Sequence, residues 1–175
     1  MTKEEIRILA ISKMDLKDGD KILDIGGGTG SVSIQASKFC KNVITIEKDP
    51  EALKVLYQNK EKFQAENLKV IEGEALEMAD AIDETFDTIF IGGSGGNMKE
   101  ILHTYTAKLK PRGKIVLTFI TIKNLYIAYE TLQDLGYQLE CSQIQVSQAK
   151  GKPLMLLAQN PIFILWGQKE QSNEG

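Results

Sequence analysis

The residues with the spacing to do chemistry are glycines and acids. Of the 15 glycines, 8 lie in two five-residue windows, Gly26-Gly27-Gly28-Thr29-Gly30 and Gly92-Gly93-Ser94-Gly95-Gly96. Without a Cβ, glycine lets the backbone turn sharply and bring its N–H groups close to a ligand. The first window does not fit the dinucleotide fingerprint G-x-G-x-x-G/A, because Ser31 or Ser33 falls at the last position. Neither window supplies G-x-x-x-x-G-K-[ST], the phosphate loop. What remains is Asp24-x-Gly26-x-Gly28-x-Gly30, an acid followed by three alternating glycines. A tight strand-to-helix turn accounts for one or two glycines, not for four in five. Glu47 stands 17 residues past Gly30, directly after Val43-Ile44-Thr45-Ile46. Doubly wound folds place there an acid that accepts hydrogen bonds from ribose hydroxyls. The plainer reading of Glu47 is a surface carboxylate paired with Lys48.

These residues must be positioned by elements that alternate in period. Ile6, Leu9, Ala10 and Met14 recur at helical spacing and predict a helix over about 3–14. Lys21–Ile25 is a short apolar run stopped by glycine, a buried strand, and Ser31–Lys38 returns to helix with Val32, Ile34 and Ala36 inward. Asn42–Glu47 reads as strand, and Asp49-Pro50 caps a helix to about Phe63. Leu68–Glu72 and Phe86–Ile91 are strands with a short helix possible between them. Helix Met98–Leu109, turn Lys110–Gly113 and strand Lys114–Ile120 follow, then a helix from Lys123 to Leu135 stopped by Gly136. Gln138–Ser147 and Pro161–Trp166 are extended runs with no helix between them, so they pair antiparallel at one edge. Such alternation predicts an α/β fold with a mainly parallel sheet covered on both faces. The three chemical stretches then fall at successive strand C-termini.

Composition narrows the function. The chain has 175 residues, 42% hydrophobic and 26% charged, which suits one globular domain over 1–169 with a polar tail over 170–175 that frays. A net charge of -3 lacks the basic excess of a dedicated nucleic-acid binder. Two cysteines, Cys40 and Cys141, show no metal-site spacing and read as buried small hydrophobes. One histidine, His103, reads as a helix-face residue rather than a base, so no bound metal is expected. Nothing resembles a signal peptide or a membrane span, and a cytoplasmic location is expected.

Asp24-x-Gly26-x-Gly28-x-Gly30 resembles motif I of the Rossmann-like S-adenosylmethionine (SAM) methyltransferases, where the loop wraps the methionine part of the cofactor. Glu72-Gly73-Glu74-Ala75 sits where those enzymes hold the adenine ring. The whole chain resembles one family, the CbiT-type decarboxylating precorrin methyltransferases of corrin synthesis. The likeness is carried by Thr2–Arg7, Leu23–Ser33, Phe90–Asn97 and Ala158–Ile164. Gly-Gly-Ser-Gly-Gly after the fourth strand is its most particular part. The resemblance implies a doubly wound, seven-stranded sheet with an antiparallel edge strand. It implies SAM contacts at Thr2, Gly26, Gly27, Gly28, Thr29, Gly30, Glu47 and Ala75. It also implies a homotetramer that methylates the C-15 bridging carbon of a precorrin or cobalt-precorrin and removes carbon dioxide from the ring C acetate. Gln148–Met155 is shorter than the family's usual counterpart, and no partner methylase domain is fused, so C-5 methylation is not expected.

An electron-rich bridging carbon is already a nucleophile, so the enzyme's main task is to hold methyl and carbon about 3–3.5 Å apart in line. Gly93, Ser94, Gly95 and Gly96 are candidates for the substrate-facing wall, their amides receiving the tetrapyrrole's carboxylates; a plain turn beside the cofactor is the equal alternative. Arg7, Lys99, Lys123, Lys150 and Lys152 are candidate cations for a polycarboxylate, although most lysines simply solvate a surface. The rival activity is a methyltransferase of the same fold acting on RNA, protein or another metabolite. The rival class is a non-catalytic SAM-binding protein.

Overall fold

The computed structural model describes residues 3–92 and 96–169. The cofactor-side elements alternate from the start: α1 (Glu4–Met14), β1 (Lys21–Ile25), α2 (Ser31–Ala36), β2 (Asn42–Glu47), α3 (Pro50–Lys62), β3 (Leu68–Glu72) and α4 (Ala75–Met78). A second run follows: β4 (Phe86–Ile91), α5 (Met98–Thr106), β5 (Leu109–Phe119), α6 (Ile122–Asp134), β6 (Tyr137–Ile144), β7 (Ser147–Lys150), β8 (Met155–Ala158) and β9 (Ile162–Lys169). Local chemistry sets the boundaries. The Asp49 side chain accepts from the Glu51 N–H at 2.9 Å, and Pro50 opens α3. The Thr121 hydroxyl accepts the Asn124 N–H ahead of α6, which gives way to Gly136 at φ 78°.

Seven strands form one sheet in the order β3-β2-β1-β4-β5-β9-β6. β1 to β5 are mutually parallel, and β9 runs antiparallel to both β5 and β6. The two final strands therefore pair antiparallel at one edge as expected, with β9 inserted between β5 and the edge strand β6. Strand order reverses where β1 lies between β2 and β4, the place where open α/β sheets take their ligands. α4, α5 and α6 pack on one face of the sheet, and α1 and α2 on the other. β1 is buried from Ile22 to Ile25, as a strand covered on both faces requires.

Several expectations are corrected. The helix predicted over Met98–Leu109 ends at Thr106, because Leu109 already pairs with Phe86 in the sheet. Lys110–Gly113 is a bulge inside β5 rather than a turn before it; pairing resumes at Lys114 opposite Thr88, and Arg112 takes φ 64°. Leu9 is exposed on α1, and Ile11 packs inward instead. Cys40 is buried and donates to the Ala36 carbonyl, but Cys141 is exposed, because β6 is an edge strand with an uncovered face. Gln148–Met155 falls in a β7–β8 hairpin separate from the main sheet. The tail beyond Lys169 lies outside the described residues. Among the described residues no helix is long and apolar enough to cross a membrane.

Candidate functional site

The C-terminal edge of the sheet gathers the sequence-derived residues through backbone bonds. Gly26 and Gly27 both donate to the Ile46 carbonyl at the end of β2, at 3.0 and 3.1 Å. Gly73 donates to the Glu47 carbonyl at 2.9 Å, and Gly92 to the Ile25 carbonyl at 3.1 Å. Each loop thus begins by closing onto the end of a neighbouring strand, and the loops after β1, β2, β3 and β4 form one rim. Gly26, Gly28 and Gly30 adopt φ of 76, 55 and 77°, the left-handed region that side-chain-bearing residues avoid. Gly27 is required for another reason: a Cβ there would stand 2.0 Å from Thr45 Oγ1. From α3, the Asn59 amide donates to the Thr29 carbonyl at 2.9 Å and steadies the loop.

Glu47 is more than a surface acid paired with Lys48. One of its oxygens accepts the Gly28 N–H at 2.6 Å; the other accepts the N–H groups of Lys48 and Asp49 at 2.8 and 2.9 Å. These bonds fix the carboxylate against the glycine loop while leaving lone pairs free for a hydroxylated ligand. Lys48 turns instead to Glu74, at 2.5 Å, joining the loops after β2 and β3. Ala75 opens α4 in a buried position, and its carbonyl accepts the Tyr105 hydroxyl at 2.5 Å. Gly96 takes φ 105° and is exposed at the same rim, just ahead of α5. Thr2, Gly93, Ser94 and Gly95 lie outside the described residues. α1 packs against β5, and Asp15 after its last turn is bridged to Lys114 at 2.8 Å.

Beneath the loop lies a group that sequence reading did not assign. Asp24 and Thr45 are register partners on β1 and β2, so their side chains share a face, and both are buried. Ser33, from α2, donates its hydroxyl to Asp24 Oδ2. Burial pushes the Asp24 carboxyl up to about 7; the Ser33 hydrogen bond pulls it down and the Glu47 charge pushes it further up. Asp24 Oδ1, Thr29 Oγ1 and Thr45 Oγ1 have no hydrogen-bond partner among the described residues. Buried polar atoms are rarely left unmatched, so orphaned oxygens around a glycine cradle fit a ligand with polar and cationic ends. The signal for Thr45 was present in the sequence, as a hydroxyl inside an otherwise apolar strand.

A polar cavity of about 690 Å³ lies at the opposite edge of the sheet, near Asp15, Asp20, Asp87 and Arg112. Its acids are already engaged: Asp15 by Lys114, Asp87 by Lys110 and Asp20 by the Lys17 N–H. His103 is exposed on α5, and among the described residues no group of three or more His, Cys, Asp or Glu could hold a metal ion.

Residues 1–169 match the family model of the precorrin methyltransferase domain. The chain belongs to the precorrin methyltransferase family. This precorrin methyltransferase is 36% identical to the cobalt-precorrin-6B C(15)-methyltransferase (decarboxylating) of Salmonella typhimurium, over 99% of this chain and 91% of that protein. Among solved structures it is similar to the precorrin-6y C5,15-methyltransferase of Geobacter metallireducens, with 37% identity and a TM-score of 0.93, covering 97% of this chain and 90% of that one. A precorrin 8w decarboxylase from Methanobacterium thermoautotrophicum superposes with a TM-score of 0.91 at 29% identity, over 95 and 91% of the two chains. The precorrin methyltransferase fold thus accounts for the mostly parallel sheet and for the rim at its C-terminal edge.

Proposed function

We propose that this chain transfers a methyl group from SAM to the C-15 bridging carbon of a precorrin or cobalt-precorrin and releases carbon dioxide from the ring C acetate, in cobalamin synthesis. The observation that carries this reading is the near-full-length similarity to a decarboxylating C(15)-methyltransferase. Bound SAM would supply an electrophilic methyl on a sulfonium. Gly26 to Gly30 would hold its methionine part, Glu47 would accept from its ribose hydroxyls, and Ala75 would border its adenine. The buried carboxyl of Asp24 offers the cation a charge partner once ionised. By the family resemblance Thr2 would contact the same cofactor, and the loop Gly93 to Gly96 would face the substrate carboxylates.

The chain's part in the reaction is to orient and to exclude water. The bond from C-15 to the methyl carbon forms as the sulfur–methyl bond breaks, its electron pair remaining on sulfur. The carboxylate then leaves as carbon dioxide, and the electron pair of its bond passes into the methylated ring. No histidine or cysteine of the chain is needed for either step. Residues 1–169 would act as one catalytic unit in the cytoplasm, and the protein would be a homo-oligomer, a tetramer by its resemblance. The exposed apolar face of the β7–β8 hairpin supports self-association.

The test is anaerobic incubation with SAM and a hexamethylated precorrin, followed by mass spectrometry. The expected product has gained one methyl and lost carbon dioxide. A folded, SAM-binding sample that produces neither change would refute the assignment.

A further inference from the structure

The most exposed large apolar side chains among the described residues fall in two segments. Ile120, Ile122 and Tyr126 are 75, 71 and 59% exposed; Leu154, Met155 and Leu156 are 74, 57 and 76% exposed. Clustered exposure of this kind marks a binding surface, whereas isolated apolar residues do not. The first segment is the more informative because of where it sits. Leu117 of β5 pairs with Ile91 of β4, so Ile120 follows β5 at the rim that Gly92 and Gly96 also occupy. β1, β4 and β5 are consecutive neighbours in the sheet. With strands about 4.8 Å apart, the end of β5 lies about 10 Å across from the first glycine loop.

Tyr126 stands one helical turn beyond Ile122 on α6, so the two side chains share a face. The Tyr126 hydroxyl donates to Glu130, which leaves the aromatic ring as the free surface. This face is not the one that holds the helix to the sheet: that role falls to Ala128, Thr131 and Leu132. Lys123 projects from the same first turn, and Lys99 from the start of α5 next to Gly96; both are exposed and neither forms an ion pair among the described residues. The rim therefore continues from the cofactor loops into an apolar ledge edged by two cations.

We propose that Ile120, Ile122 and Tyr126 seat one face of the tetrapyrrole macrocycle, and that Lys123 and Lys99 receive carboxylates at its edge. The inference rests on the substrate class proposed above and adds the residues that select it. A flat ring with apolar faces and an anionic rim is complementary to this ledge, and the ledge is continuous with the cofactor loops. The cations contribute mainly to orientation, since they are exposed and screened.

The test compares Ile122→Glu, Tyr126→Ala and Lys123→Glu with the native protein in the mass-change assay. SAM affinity is followed by calorimetry and assembly by sedimentation. The expected result is a KM for the precorrin raised about tenfold or more in Ile122→Glu and several-fold in the other two. SAM affinity should stay within about twofold and the sedimenting mass should not change. Phe39→Glu, an equally drastic change at an exposed position just beyond α2, should leave the KM unaltered. An unchanged KM in an active native background overturns the ledge and spares the assignment of function. A lowered mass shows that a second copy covers the ledge, and also overturns it. If the native protein does not turn over the precorrin at all, the functional reading fails and the ledge falls with it.

Discussion

At the scale of single residues, Asp24 combines a position the sequence marks with a property it does not. The acid two residues before Gly26 is legible as part of the glycine motif. Its protonation is not, because that depends on the burial produced by β2, β4 and α2 closing around it. The native carboxyl, at about 7, holds its proton far more tightly than the ordinary value of 3.8 in an unfolded chain. Its contribution to stability is therefore fully present below pH of about 4 and is lost as pH rises through about 7. At roughly 1.4 kcal/mol per unit, this amounts to a few kcal/mol. Asp24→Asn should remove that dependence: the urea midpoint of the apoprotein should fall less steeply between pH 4 and 7 and exceed the native value at pH 8. SAM affinity at pH 8 should drop about tenfold, the cost of losing a charged partner. A variant with the native pH slope would show that Asp24 is ionised throughout.

At the scale of elements, the strands that carry the rim were legible almost to the residue. Lys21–Ile25, Asn42–Glu47, Leu68–Glu72 and Phe86–Ile91 are short apolar runs bounded by turn residues, and each is bounded as its pattern predicts. The bulge at Lys110–Gly113 was not legible as part of β5, since only the pairing of Leu109 with Phe86 extends the strand back past these turn residues. The contact between Gly27 and Thr45 was equally hidden, because the two lie on different strand ends. It has a direct consequence. Gly27→Ala drives a methyl group into Thr45 Oγ1 on a central strand that cannot retreat, so it should destabilise the fold by about 1–3 kcal/mol and weaken SAM binding. Adding Thr45→Ala removes the offending hydroxyl, and the nearest remaining side-chain atom, Thr45 Cβ, is 3.3 Å away. The double variant should recover part of the lost stability, giving a clear coupling in a thermal-denaturation cycle. Additive losses would mean that the Thr45 hydroxyl is not what excludes a side chain at Gly27.

At the scale of the whole molecule, the family was legible in the two glycine windows, whereas the exposed apolar hairpin was not. The β7–β8 hairpin occupies a stretch that patterning left without an element of its own, since Met155-Leu156-Leu157 is apolar throughout and offers no alternation to read. An isolated two-stranded hairpin is marginal in water, and this one exposes every residue of β8. Its retention is explained if a second copy covers it, which is also the physical basis for the oligomer that the family resemblance implies. Each large apolar side chain fully withdrawn from water contributes about 1.5–3 kcal/mol before the cost of association is met, so covering Leu154, Met155, Leu156 and Leu157 favours self-association. Leu156→Glu places a charge at the most exposed of these positions. Sedimentation equilibrium should show the native protein well above its chain mass of 19.5 kDa and the variant shifted towards it. SAM affinity should persist in the variant, because the glycine rim is assembled from β1, β2 and β3 without the hairpin. A native protein that sediments as a monomer, or a variant that keeps the native mass, would place the oligomer contact elsewhere or remove it.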